Sequence, residues 1–188
     1  MKIENKTPIA EEIIRNNPTG HGLFAGIGDN FNSVAQVICE LMDDAVSNLR
    51  ANKDDPELSM TVVLSLENLG DAVEITVTDG GTGIADLGSA LTIACRDSAQ
   101  TPLNEHGFGL KHALASCDSS PEQMWSIRTR TKADAAANQY REVKAPYSMG
   151  TSELDKPMKV RFYSGTGDLP IPPAHRSLSA ALWRSSER

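Results

Sequence analysis

The chain has 188 residues, 39% apolar and 23% charged, which is ordinary globular usage and enough for one domain with a sizeable core. A net charge of −7 excludes a generic nucleic-acid coat or a binder of acidic membranes. No run approaches the roughly 18 apolar residues of a membrane span, and no early apolar stretch reads as a signal peptide, so the expectation is a cytoplasmic protein with no membrane partner.

The charge is uneven. Residues 1–124 carry 7 Lys/Arg against 19 Asp/Glu, and residues 125–188 carry 11 against 6. An acidic front half suits a divalent-metal site, and the basic back half leaves a local DNA contact open. Cys39, Cys95 and Cys117 are odd in number and make no C-x-x-C pair. They read as buried small residues in a reducing compartment. Aromatic content is only 5%, so the core is expected to be aliphatic.

In chain order, Ile9-Ala-Glu-Glu-Ile-Ile-Arg15 reads as a short helix closed by Asn16-Asn17-Pro18. A glycine-rich run to Asn30 follows, with Asp29 or Asn30 as N-cap of a central helix over residues 31–53. Phe31, Val34, Ile38, Leu41, Ala45 and Leu49 form its apolar stripe. Glu40, Asp44 and Asn48 lie four apart, and a step of four turns a helix by only about 40°, so they form one polar ridge beside that stripe. Asp43 points elsewhere. By itself the ridge reads as a solvated face.

Two β-branched runs, residues 59–66 and 72–78, flank Asn68-Leu69-Gly70-Asp71 and read as a hairpin. The second runs into Asp79-Gly80-Gly81-Thr82-Gly83, followed by a helix from Ile84 to about Cys95. Residues 96–106 read as a loop leading to Gly107-Phe108-Gly109-Leu110-Lys111 at the start of another helix. Strands are expected at 124–131, 139–145 and 158–163. Arg128, Arg130 and Lys132 alternate on the first of these and read as a solvated sheet edge. After Gly167 no periodic element is expected. The organisation reads as a domain over 1–167 and an atypical or truncated tail over 168–188.

Three segments carry chemistry together. Glu40, Asp44 and Asn48 offer carboxylates and an amide on one helix face. Asp79 at a strand end can accept from an exocyclic amine, and Gly81 and Gly83 let backbone approach a flat ligand. Gly107, Gly109 and the neighbouring amides at a helix start suit an anion, with Lys111 as a point charge for phosphate.

In this order and spacing the chain resembles the GHKL ATPase superfamily, which includes gyrase-type topoisomerases, ninety-kilodalton heat-shock chaperones, histidine kinases, MutL proteins and MORC ATPases. Glu40-Leu-Met-Asp-Asp-Ala-Val-Ser47 resembles the N box (usual form E-L-x-x-N-A-x-D), Val77 to Ile84 the G1 box, and Glu105 to Lys111 the G2 box. The resemblance spans about residues 30–165 and is nearest to MORC-type domains. It implies an α/β two-layer sandwich (the Bergerat-type ATP-binding fold) with a mixed, mostly antiparallel sheet. It also implies Mg²⁺-dependent ATP binding and hydrolysis as a conformational or dimerisation switch.

By the same resemblance Glu40 is the general base, Asp44 the Mg²⁺ ligand, and Asp79 the acceptor for the adenine amine, with Gly81, Gly83 and Ile84 beside the base. Residues 96–106 form the lid, Gly107, Phe108, Gly109, Leu110 and Lys111 hold phosphates, and Asn48 supports the pocket edge. A threonine after glycine reaches the base, either Thr151 or Thr166.

The chain departs from the family where Asp44 replaces Asn, Ser47 replaces an acid and Asn104 replaces a glycine. ATP and ADP are the expected ligands. The expected partner is a second copy, engaged through the N-terminal segment, or a subunit supplying the transducer domain that does not follow here. The alternatives are a module that binds nucleotide without hydrolysis, and a histidine-kinase-type phosphotransferase. The N-box glutamate and the lack of an upstream phosphoacceptor histidine count against the latter.

Overall fold

The computed structural model describes residues 6–14, 33–70, 72–92, 109–117, 125–145, 158–165 and 176–184, the last segment as backbone only. The chain has an α/β fold. Among the described residues seven strands form one sheet: β1 (Ala10–Ile14), β2 (Ser59–Asn68), β3 (Ala72–Gly80), β4 (Trp125–Arg130), β5 (Gln139–Ala145), β6 (Met158–Ser164) and β7 (Arg176–Arg184). Their order is β1-β6-β5-β4-β7-β3-β2. Every neighbouring pair is antiparallel, where a mixed, mostly antiparallel sheet was expected.

The central helix α1 (Val34–Ala51) turns its 3.6-residue period into one buried stripe of Val37, Leu41, Ala45 and Leu49. It packs on β3 and β2 and against α3 (Gly109–Ser116). Its N-cap is Ser33, whose hydroxyl accepts from the Gln36 amide, so the helix begins later than the expected Phe31 and is not capped by Asp29 or Asn30. Cys39 is two residues from both Val37 and Leu41, which puts it on the opposite side of the helix, and it is exposed. The expectation that it is buried is therefore corrected, while Cys117 is buried.

β2 and β3 form the expected hairpin, with Gly70 at φ +95 in the turn, where a side chain is disfavoured. Along β3 the period of two places Ile75 and Val77 in the core cluster, with Leu41 and Ala45 of α1 and Leu114 of α3. Asp79 shares their face. Trp125, Ile127, Val143 and Val160 extend that core across β4, β5 and β6.

Four further elements differ from expectation. Residues 10–14 are an edge strand, not a helix: Ile14 enters the core, while Glu11 reaches Lys159 and Arg161 on β6 at 3.0 Å each. The helix after the glycine turn, α2, covers only Leu87–Leu91, capped by Asp86. A short helix α4 (Lys132–Ala136) follows β4 on a capping box made by Thr131 and Asp134. The segment after Gly167, expected to hold no element, supplies β7 between β4 and β3.

β4 is consequently an interior strand, not a solvated edge. Arg130 is buried and Arg128 pairs with the buried Glu142 at 2.8 Å. Lys132 is exposed on α4, where it pairs with Glu57.

Candidate functional site

Helix α1 and the two glycine-bearing segments meet at one end of the sheet. The Glu40-Asp44-Asn48 ridge runs along the helix and divides between them. At its upper end lies the start of α3. A Cβ placed on Gly109 would come within 2.2 Å of Glu40 Oε2 and 3.9 Å of Asp44 Oδ2, so a side chain here would displace the Glu40 carboxylate. The Leu110 N–H donates to Asp44, and Lys111, 3% exposed, places its ammonium close enough to stabilise the Asp44 carboxylate.

At the lower end lies the turn after β3. Asn48 Nδ2 donates to Thr82 Oγ1 at 3.0 Å, and Asn48 Oδ1 accepts from the Thr82 amide at 2.9 Å. A Cβ on Gly81 would meet Asn48 Oδ1 at 2.0 Å and Asp79 Oδ1 at 2.8 Å. Asp79 is buried and its Oδ1 accepts from the Gly81 amide at 2.9 Å. Gly83 sits at φ +73, with its backbone against the Arg130 carbonyl.

The electrostatics of the two ends differ. Burial raises the Glu40 pKa, and the Asp43 charge adds to the effect. For Asp44, burial is again the largest cause, followed by repulsion from Glu40 and Asp43. Together these outweigh Lys111 and the Leu110 amide and raise it to about 7. Asp43, given no role from sequence, thus contributes negative charge to both. At the turn, backbone N–H groups meet oxygen acceptors.

Sequence reasoning missed the residues on the far side of the turn. Thr129 Oγ1 accepts from the Ile84 amide at 2.7 Å. Arg141 donates through Nη2 to the Ile84 carbonyl at 2.7 Å and through Nη1 to the Ala85 carbonyl at 2.8 Å. The signal was present: Arg141 is two residues from Val143 and so shares its core face, where a charged side chain calls for partners. In register, Asp79 pairs with Ser177 of β7, and Ser177 pairs with Thr129.

The structure therefore brings together Glu40, Asp44, Gly109, Leu110 and Lys111 at one end of the ridge, and Asn48, Asp79, Gly81, Gly83 and Ile84 at the other. Gly107, Phe108, the loop 96–106, Thr151 and Thr166 lie outside the described residues. No group of three or more His, Cys, Asp or Glu side chains gathers as a metal cage among the described residues, and none of their helices is long and apolar enough to cross a membrane. No family model and no curated protein matches the chain.

Proposed function

We propose that this chain is a GHKL-type domain, a two-layer α/β sandwich that binds ATP with Mg²⁺, hydrolyses it and uses the cycle as a conformational or dimerisation switch. One observation carries the reading. A single helix holds two carboxylates against a glycine at one helix start and an amide against a glycine turn behind a buried aspartate. These are the parts needed to hold a phosphate chain and a base on one helix face.

In this reading Asp79 accepts from the exocyclic amine of adenine, and the turn from Gly81 to Ile84 lies along the base. The amides at the start of α3 face the phosphates, with the positive end of that helix favouring their charge. The donor set also fits Mg²⁺. A hard carboxylate at Asp44, its pKa raised by burial and by neighbouring acids, is stabilised by a cation, and Mg²⁺ is commonly held by one or two carboxylates plus phosphates. Bound there, the ion supplies charge neutralisation for the phosphates.

Glu40, its pKa also raised, accepts a proton from the attacking water, and a base is most effective when its pKa approaches the working pH. Lys111 lies buried with its charge directed at Asp44, so its role is to balance that carboxylate as much as to meet phosphate.

Calorimetric titration with a non-hydrolysable ATP analogue and Mg²⁺, with phosphate release measured for wild type and Glu40→Ala, tests the reading. Binding by both proteins with turnover only in wild type is expected. No binding at millimolar nucleotide overturns it, and equal turnover in the variant removes the role given to Glu40. The position of Lys111 favours a second reading, binding without hydrolysis, because its charge already occupies part of the role of the metal. Binding with no phosphate release in wild type selects that reading.

A further inference from the structure

Between Gly81 and Ala85, five backbone polar groups are held by side chains from four elements. Asp79 of β3 accepts from the Gly81 amide, Asn48 of α1 from the Thr82 amide, and Thr129 of β4 from the Ile84 amide. Arg141 of β5 donates to the carbonyls of Ile84 and Ala85. Of these, Arg141 alone fixes two consecutive peptide units, because its guanidinium is a rigid planar fork.

The fork is itself oriented. Arg141 Nε donates to Asp134 Oδ2 at 3.0 Å, and the same carboxylate oxygen accepts from the Thr131 amide at 2.9 Å and the Thr131 hydroxyl at 2.7 Å. Gln139 Nε2 donates to Asp134 Oδ1 at 3.2 Å. Both members of the pair are buried, Arg141 at 8% and Asp134 at 4% exposure. An ion pair serving stability alone is complete with Asp134. Here Nη2 lies 2.9 Å from Asp134 Oδ2, and both outer nitrogens reach the turn as well. The short helix α4 is thus a bracket: its capping aspartate aims an arginine at the loop behind Asp79.

We infer that Arg141 is a positioning residue for the base-binding turn, acting through the Ile84 and Ala85 carbonyls, with Asp134 fixing its orientation; the ligand side of this rests on the ATP-binding reading. A loop already held in its bound geometry loses less conformational freedom when ligand arrives, so the arginine acts on affinity and leaves the proton transfer at Glu40 untouched.

The test uses the full chain and begins without ligand. Arg141→Lys keeps a cation beside Asp134 but has no fork, and Asp134→Asn keeps the fork and loosens its aim. Hydrogen exchange of nucleotide-free protein is expected to show that the Thr82 and Ile84 amides lose protection in Arg141→Lys, while β3 and α1 stay as in wild type. Asp134→Asn shows a smaller loss at the same amides and serves alone if the lysine variant does not fold.

With Mg²⁺ and ATP, the KM of Arg141→Lys rises about tenfold while kcat at saturation is unchanged. Unchanged protection at residues 81–85 overturns the inference. So does loss of protection spread through β3 with kcat and KM altered together, which marks a purely structural ion pair. If wild type binds no ATP, the function reading fails, and the exchange result still decides whether Arg141 holds the turn.

Discussion

Replacing Asp44 by Asn in the metal-free, nucleotide-free protein tests whether the α3 end of the ridge carries excess negative charge. In the folded chain the Asp44 pKa is raised from 3.8 to about 7. Between those values the unfolded chain has released the proton and the folded chain keeps it. The native state then binds more protons, so stability falls as pH rises through this window and levels off above it. One pKa unit is worth about 1.4 kcal/mol, so the full shift corresponds to an upper bound of about 4 kcal/mol at alkaline pH, of which roughly 1.6 is already present near pH 5.

Solvent at a half-buried residue screens this, and about half of the remaining difference, on the order of 1 kcal/mol, is expected to be measurable. Asparagine can still accept the Leu110 amide and has no proton to lose. In EDTA, the melting temperature of Asp44→Asn relative to wild type should therefore be higher near pH 8 than near pH 5, by about 2–4 °C for a chain of this size. Thermal melts of both proteins across that range supply the check. A gap that does not change with pH, or that closes as pH rises, refutes the reasoning, because it means Asp44 is ionised in the fold at no cost.

Gly81→Ala puts a Cβ 2.0 Å from Asn48 Oδ1 and 2.8 Å from Asp79 Oδ1, and neither atom can retreat without losing a hydrogen bond. A loss of about 1–3 kcal/mol by denaturant melt is expected, together with weaker nucleotide binding; stability equal to wild type contradicts the close approach. Asn48→Ala leaves the Thr82 amide and hydroxyl without this partner, a cost of about 1–3 kcal/mol, and should raise the Kd for ATP analogue with little effect on the Asp44-dependent pH profile. A changed pH profile in Asn48→Ala means that the two ends of the ridge are coupled.

The ridge itself was legible because a spacing of four is a geometric statement about any helix, whatever its surroundings. Likewise, Asn68 to Asp71 between two β-branched runs left few alternatives to a hairpin, and β5 spans the residues expected of it. What failed depended on tertiary pairing. Ile9 to Arg15 has a helical local pattern, and only β6, with Lys159 and Arg161 facing Glu11, makes residues 10–14 extended.

Arg176 to Arg184 alternates polar and apolar only over residues 177–180, too short a signal to stand alone, yet it is paired on both edges, by β4 and by β3, and the neighbours fix a backbone that its own sequence does not. The same reasoning explains Arg128 and Arg130. They read as edge charges until β7 closed the sheet beside them and made β4 interior. Arg141 was missed for the opposite reason: its partners are backbone carbonyls 56 and 57 residues away, which no local pattern contains.

The two ends of the ridge are built on opposite principles, and their difference suits a nucleotide. At the turn, five backbone groups between Gly81 and Ala85 are already held by side chains. Little remains to be ordered there, and affinity rests on geometry already in place. At the start of α3, the Asp43 charge raises the pKa of both Glu40 and Asp44, Lys111 offsets only part of this at Asp44, and holding a proton or gaining a cation relieves the charge.

A ligand that carries its own divalent ion relieves that imbalance, whereas bare phosphates aggravate it. Binding at the turn should consequently be insensitive to metal, and binding at the carboxylate end should require it. In the proposed reading Asp44 is the residue that makes the second half of the pocket depend on Mg²⁺, because an asparagine there removes one of its negative charges.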